Sequence, residues 1–368
     1  MKLQDYPRPK EDTGIGLHWS AGDSNARQVS DHLGFLKDLG VKWVKLLGKG
    51  SHDDIAACQL LAANDIDPVV RLYLDRPPPD YVPQRDYIRQ YVNAGAHYFE
   101  GGNEPNLFDE WQMDRWNAGS QPNQCAEQFL LFAGQCKPAG GIPMLPAMSP
   151  GGHIGHETFF TAMMAHMAAV AEPSLAAVLE GCAIATHPRP MNHPIDYIQD
   201  TVSFLGYQWY DYHLKNTYGI QLPQIATEHG YEPGWGDDNR YPLITRELHA
   251  SYNMALVKTV NNGEVYDCLF AGCFWLLGGN VLGNGTFQPA AWLDSNYENG
   301  GELPIIAALK AYPKKIRPFR WDQPSEPPGP ALGEGFHRAQ AMNLIHFAEN
   351  EMWHFQGTSK ETSLAVGV

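Results

Sequence analysis

The chain has 368 residues, 43% hydrophobic and 18% charged, so it can bury a large core and is not a disordered segment. Its formal net charge of −15 argues against nucleic acid or an anionic membrane as the main partner. No basic, apolar leader opens the chain and no apolar run approaches the length of a membrane span, which predicts a cytoplasmic protein. The six cysteines show no zinc spacing, which predicts buried thiols.

Short apolar segments alternate with helical patterns along the chain. The predicted strands are 14–19, 41–47, 67–74, 98–104, 142–148, 182–187, 224–229 and 266–277. The predicted helices are 25–39, 53–63, 86–94, 124–136, 157–179 (broken at Pro173), 195–218, 243–260 and 303–312. Eight strands alternating with eight helices predict a (β/α)8 TIM barrel. The alternative, a doubly wound open sheet, lacks its Gly-rich phosphate loop after the first strand.

The composition changes near the end of the chain. From Arg317 on, prolines become frequent and only a weak apolar segment, 342–355, follows them. This pattern predicts a catalytic barrel over residues 1–316 and a C-terminal extension, 317–368, packed on it.

Two glutamates end predicted strands. Glu104 stands in Asn103-Glu104-Pro105, where the proline stops the fourth strand, and alternation places Glu100 on the same face as Glu104. Glu228 ends the apolar seventh strand before Gly230. Because the strand ends of a barrel meet at its C-terminal face, we expect the two carboxylates to lie together there. Hydrolysis of a glycoside with retention needs such a pair.

The two strand ends resemble those of the retaining glycoside hydrolases called clan A, or the 4/7 superfamily. The resemblance implies double displacement at a β-glycosidic bond of a glycoside, oligosaccharide or polysaccharide. It implies Glu104 as the acid/base and Glu228 as the nucleophile, with no cofactor and no metal. The resemblance does not identify one family within the clan, since His187-Pro188-Arg189 departs from the His-x-Tyr pattern of the cellulase-like members.

The resemblance also implies residues that bind substrate. Asn103 resembles the asparagine that bonds the sugar 2-hydroxyl, and Trp275 the tryptophan beneath the cleaved sugar. His187 ends strand six near the expected nucleophile. Arg71 is expected either beside the nucleophile or, with Lys45 as the weaker candidate, as the partner of Glu100. The remaining expected sugar contacts are His18 and Trp19, which end strand one.

The long segment 107–123 follows the expected acid/base and contains Trp111 and Trp116. We expect both tryptophans to form one wall of the cleft, because loops after barrel strands build the site. The alternative is that both pack on the next helix. We also expect the negative charge of Glu228 to raise the pKa of Glu104.

Three other functions compete with a retaining hydrolase. A metal-dependent barrel hydrolase usually shows His-x-His after strand one, where this chain has only His18. A barrel that binds glycans without cleaving them usually lacks one of the two glutamates. An inverting hydrolase would use another carboxyl, such as Glu232 or Asp75.

Overall fold

Eight parallel strands form a closed barrel in the order of the chain. The computed structural model describes residues 1–22, 24–73, 84–279, 282, 288–296 and 301–322. The strands are β1 (Ile15–His18), β2 (Trp43–Gly48), β3 (Asp67–Leu72), β4 (Tyr98–Glu100), β5 (Ile142–Leu145), β6 (Ala183–Thr186), β7 (Gln224–His229) and β8 (Leu269–Phe274). β1 pairs with β2 on one side and with β8 on the other, which closes the barrel and confirms the predicted fold class.

Helices surround the strands. Those within the described ranges are α1 (Ala26–Asp38), α2 (His52–Ala62), α3 (Arg85–Asn93), α4 (Met113–Asn117), α5 (Gln121–Ala139), α6 (His156–Val170), α7 (Leu175–Leu179), α8 (Tyr207–Tyr218), α9 (Arg246–Asn261) and α10 (Pro304–Ala311). The break predicted at Pro173 separates α6 from α7. In the part of the chain that the structure describes, none of the helices is long and apolar enough to cross a membrane.

The barrel interior is built in layers by strand alternation. Trp43, Val69 and Tyr98 belong to an apolar interior cluster on neighbouring strands. Two residues further along β2 and β4 stand Lys45 and Glu100, both buried. Since alternate residues of a strand share a face, a charged layer lies above the apolar one, towards the C-terminal ends of the strands.

A second apolar layer lies between the strands and the helices. It takes the other face of each strand, for example Leu17 and Val70, and the buried stripe of α1, Val29 and Leu36. The Asn25 side chain accepts hydrogen bonds from two backbone N–H groups at the start of α1, which fixes where that helix begins. All six cysteines are buried and free, as predicted.

Several predicted boundaries were wrong. β4 ends at Glu100, so residues 101–104 belong to the loop that follows it. α8 begins only at Tyr207, because residues 195–206 form loop and a 3-10 turn. The expected loop 107–123 contains a 3-10 turn, α4 and the start of α5.

The described part of the C-terminal extension packs on the barrel. The Arg317 side chain donates a hydrogen bond of 2.9 Å to the carbonyl of Phe270 on β8. Phe319 is 1% exposed and its ring contacts that of Phe270. Residues 323–368, with the apolar segment 342–355, lie outside the described residues, as does Asp75.

Candidate active site

The turn that carries Glu104 has an unusual backbone. Glu104 has a φ of 35°, a left-handed conformation that is costly for residues other than glycine and concentrates at functional sites. The Asn106 side chain holds this turn by donating to the Ser149 carbonyl at 2.8 Å and accepting from the Ser149 N–H at 2.8 Å. The loops after β4 and β5 therefore brace each other and fix the direction of the Glu104 carboxylate.

Glu228 reaches the barrel interior through an irregularity in β7. Ala226 pairs with Gly272 and His229 pairs with Phe274, so three steps along β7 match two along β8. Such a bulge adds one residue to a strand and re-aims the side chains beside it. Ala226 packs in the outer layer, yet the side chain of Glu228 contacts the interior residue Lys45.

Lys45 joins the two interior carboxylates. Its Nζ lies 3.1 Å from Glu100 Oε2 and 3.3 Å from Glu228 Oε1, and its side chain is 0% exposed. The candidate regarded as weaker from the sequence is therefore the partner of Glu100. Burial would raise the pKa of Glu228, but the positive charges of His187, Lys45 and Arg189 outweigh it and hold that pKa well below its usual range. Glu228 is therefore ionised at neutral pH.

Replacing Lys45 with methionine should destabilise the barrel strongly. Removing one partner of a buried ion pair leaves a charge without compensation, so we expect the free energy of unfolding at pH 7 to fall by about 3–5 kcal/mol. Because the folded-state pKa of Glu228 is lowered, its contribution to stability is present above about pH 4.3 and is lost as pH falls through the folded-state pKa. The deficit of the variant should therefore shrink in acid, where its carboxyls take up protons.

Urea unfolding of Lys45→Met and of a matched control, Lys310→Met, checks this prediction. Lys310 pairs with Glu302 at 3.6 Å on the surface, and losing such a pair typically costs less than about 1 kcal/mol. Equal losses in the two variants would show that Lys45 does not neutralise buried carboxylates.

His187 lies directly after β6 and contacts Glu104. Its Nδ1 is 2.8 Å from Glu104 Oε1 and 3.9 Å from Glu228 Oε2. Burial and the charge of Glu228 would raise the pKa of Glu104. The hydrogen bond and the positive charge of His187 outweigh both, so the pKa of Glu104 is lowered. The expectation that this pKa is raised was wrong, because it counted Glu228 and left out His187.

Arg189 is a site residue that sequence reasoning missed. Its Nη2 contacts Glu228 Oε2, and its Nη1 lies 3.2 Å from Glu232 Oε1. It takes the position beside Glu228 that was expected for Arg71. The signal was present in the sequence, since His187-Pro188-Arg189 places a cation two residues after a strand-end histidine.

Glu104, His187 and Glu228 also form a cluster with the composition of a metal site. One ligand atom from each lies within 4.8 Å of the others. However, Lys45 Nζ and Arg189 Nη2 already contact one oxygen of Glu228 each, and so supply the positive charge that a cation would bring. The arrangement therefore favours acid–base and nucleophilic chemistry.

An aromatic pair lies beside the carboxylates. The rings of His18 and Trp275 are 4.5 Å apart, and the Arg189 guanidinium lies 5.5 Å from the Trp275 ring. Burial and the charge of Lys45 lower the pKa of His18 well below its usual range, so this imidazole is neutral.

Trp19 lies away from this pair: it is 1% exposed and contacts His32 of α1. Its expected role as a sugar contact was wrong, because adjacent strand residues point to opposite faces.

Asn103 and Arg71 line a cavity next to the Glu104 turn. The Asn103 side chain donates to Glu110 Oε1 at 2.8 Å. Burial raises the pKa of Glu110, although Asn103 and Arg71 oppose this shift. Arg71 points into the barrel as predicted from alternation, but no ion pair joins it to Glu100 or Glu228 among the described residues.

The two loop tryptophans support the turn and do not form an open wall. Trp111 is 6% exposed, and its indole N–H donates to the Pro105 carbonyl at 2.7 Å. Trp116 is half-buried and packs edge-on against Phe108 and His153. Trp111 lines the same cavity as Asn103 and Arg71 while its indole supports the Glu104 turn, so its expected contact with substrate stays a prediction.

No protein-family model and no curated protein matches the chain. Solved structures are similar to it over most of its length. A family 39 glycoside hydrolase from the gut symbiont Bacteroides cellulosilyticus WH2 has 12% identity and a TM-score of 0.48, over 82% of this chain and 63% of that chain. A β-glucuronidase 2 from Bacteroides uniformis has 10% identity and a TM-score of 0.49, over 81% of this chain and 35% of that chain.

A β-mannanase from Thermomonospora fusca has 13% identity and a TM-score of 0.44, over 82% of this chain and 91% of that chain. The chain thus spans 63% and 35% of the lengths of the first two structures. By their names these neighbours are glycoside hydrolases. At such identities and TM-scores the likeness carries no argument about activity, which has to be argued from the site.

Proposed function

We propose that the protein is a retaining glycoside hydrolase that cleaves β-glycosidic bonds, with Glu228 as the nucleophile and Glu104 as the acid/base. The spacing of these two carboxylates carries the proposal, because one oxygen of each lies within 4.8 Å of the other. Retaining enzymes hold their two carboxyls about 5–5.5 Å apart, whereas inverting enzymes need about 6.5–9.5 Å to admit a water. An inverting reaction through this pair is therefore disfavoured.

The contacts of the two glutamates distinguish their roles. Lys45 and Arg189 contact the two oxygens of Glu228, which keeps it ionised and oriented as a nucleophile needs to be. Glu104 instead contacts His187, and its side chain is 13% exposed against 5% for Glu228, so it is the carboxyl more accessible to a leaving oxygen or a water. This position suits the group that gives a proton to the leaving oxygen and later takes one from water.

The reaction then takes two steps. Glu228 attacks the anomeric carbon while the bond to the leaving oxygen breaks and Glu104 gives that oxygen a proton. In the second step a water attacks the same carbon, Glu104 accepts its proton, and the bond to Glu228 breaks with the electron pair returning to the carboxylate. The charge of Glu228, which favours the protonated form of Glu104, is absent between the two steps, so Glu104 is more readily ionised when it acts as a base.

The ligand that fits this site is a carbohydrate. Trp275 and His18 offer ring surface beside the carboxylates, and the apolar face of a pyranose packs on such rings. A barrel that only binds glycans has no need for a nucleophile held on both oxygens by cations. This observation favours catalysis over binding alone.

A panel of aryl β-glycosides and β-linked polysaccharides tests the proposal, with proton NMR to follow the product formed first. We expect hydrolysis of at least one substrate, with the β-anomer appearing before mutarotation. First formation of the α-anomer would show inversion. No hydrolysis, combined with tight binding of the same glycans, would favour the binding function.

A further inference from the structure

Arg189 connects Glu228 to a third carboxylate. Its Nη2 contacts Glu228 Oε2, and its Nη1 lies 3.2 Å from Glu232 Oε1. The Glu232 side chain is 18% exposed and that of Arg189 is 22% exposed, so water screens the pair only in part. A single guanidinium therefore pairs with both carboxylates. A displacement of one carboxylate alters the ion pair of the other.

The backbone around both residues is fixed. The Arg189 N–H donates to the His187 carbonyl at 2.8 Å, which turns the chain directly after β6. On β7, Gly230 has a φ of +95°, a conformation open to glycine, and this turns the chain after the bulge. Tyr231 is then anchored, since its hydroxyl donates to the His193 carbonyl at 2.8 Å. The positions of Arg189 and Glu232 are therefore set by the ends of β6 and β7.

We propose that Glu232 is a positioning residue that acts through Arg189: it shares the guanidinium with Glu228 in the free enzyme and serves as its counter-ion once Glu228 is glycosylated. The proposal rests on the proposed function, because it requires Glu228 to be the nucleophile.

The charges around Glu232 support this change in the partner of Arg189. Burial raises the pKa of Glu232 to about 7, Arg189 opposes the shift, and the negative charges of Glu228 and Glu104 add to it. Esterification of Glu228 removes one of these negative charges, so the pKa of Glu232 falls and its ionised form is favoured. Arg189 thereby keeps a carboxylate partner throughout the cycle.

The second step should depend on this counter-ion. In the covalent intermediate an uncompensated Arg189 would face an oxocarbenium-like transition state, and two positive charges would repel. As water attacks and the bond to Glu228 breaks, Glu232 offsets the charge of Arg189. The first step depends on it less, because Glu228 itself is then ionised and pairs with Arg189.

Glu232→Gln keeps the size of the side chain and removes its charge. With the most reactive aryl glycoside that the wild type cleaves, we expect kcat and KM to fall together by roughly ten- to hundredfold, as for the loss of a hydrogen bond to a charged group. The ratio kcat/KM should change by less than about threefold, and a burst of aryl alcohol should precede the steady state.

Asp237→Asn is the matched control, since Asp237 is an exposed acid of the same loop and should give wild-type kinetics. Glu232→Asp, which keeps the charge, should restore part of kcat and guards against a folding defect in the first variant. A fall in kcat/KM equal to that in kcat, or unchanged kinetics, would overturn the proposal while retention stands. A wild type that inverts or does not hydrolyse glycosides would instead remove the proposed function and this role with it.

Discussion

Glu228→Ala is expected to abolish turnover, lowering kcat by roughly 10⁴-fold or more, as the loss of a nucleophile that works with its partners does. Lys45 and Arg189 contact the Glu228 carboxylate, and no other ionised carboxyl among the described residues shares both cations. The truncated side chain leaves space for a small anion beside these two positive charges. Azide should therefore restore part of the activity with activated aryl glycosides, giving a glycosyl azide of inverted configuration.

Asp237→Ala, at an exposed position nine residues further along the chain, should leave kcat unchanged. If Glu228→Ala kept more than about one hundredth of wild-type activity without azide, Glu228 would not be the nucleophile.

Glu104→Gln should slow hydrolysis to an extent that depends on the leaving group of the substrate. The amide that this substitution introduces can still accept the hydrogen bond from His187 but cannot give up a proton, so a poor leaving group departs without assistance. We expect kcat/KM to fall by about 10²–10⁴-fold for alkyl glycosides and oligosaccharides. A dinitrophenyl glycoside, whose leaving group needs no proton, should lose far less in the first step.

Steady-state kinetics on a series of aryl glycosides graded by leaving-group pKa measures this difference. The plot of log kcat/KM against that pKa should be steeper for the variant than for the wild type. Parallel lines would mean that Glu104 does not protonate the leaving group.

The barrel and the location of the two glutamates could be predicted because both follow from short-range patterns. Apolar segments of strand length alternate with helical periodicity, and the C-terminal ends of parallel barrel strands always meet at one face. Glu104 follows the fourth strand and Glu228 lies near the end of the seventh, so their proximity needed no knowledge of side-chain packing. The half-buried position of Trp116 and the buried position of Trp111 depend on that packing, so the sequence leaves open whether these tryptophans line the cleft or pack on the next helix.

Other features depended on register and local backbone. Strict alternation would place Glu228 with Ala226 in the outer layer, and only the bulge opposite β8 turns it inward. In the register of β2 and β3, Lys45 lies opposite Val69. Arg71 lies opposite Leu47, which is two residues nearer the C-terminal end of the barrel. This difference in height decides which cation meets Glu228, and a sequence pattern does not give strand register.

Two errors and one omission could have been avoided from the sequence. Leu17 and Trp19 share one face of the first strand, so His18 and Trp19 cannot both face the barrel interior. The pKa of Glu104 was judged from Glu228 alone, although His187 was already expected near the nucleophile. Arg189 was the omission, although its position two residues after the strand-end His187 marks it as a site residue.

Labelling of the nucleophile tests the central claim most directly. An activated 2-deoxy-2-fluoro glycoside of the preferred sugar slows both steps through its electron-withdrawing fluorine, and its good leaving group lets the covalent intermediate accumulate. Peptide mapping by mass spectrometry should then place one fluoro-sugar on Glu228, in the peptide that also contains Glu232, with fragment ions separating the two residues. Attachment to Glu232 or Glu104, or an intact protein without label after complete inactivation, would contradict the account.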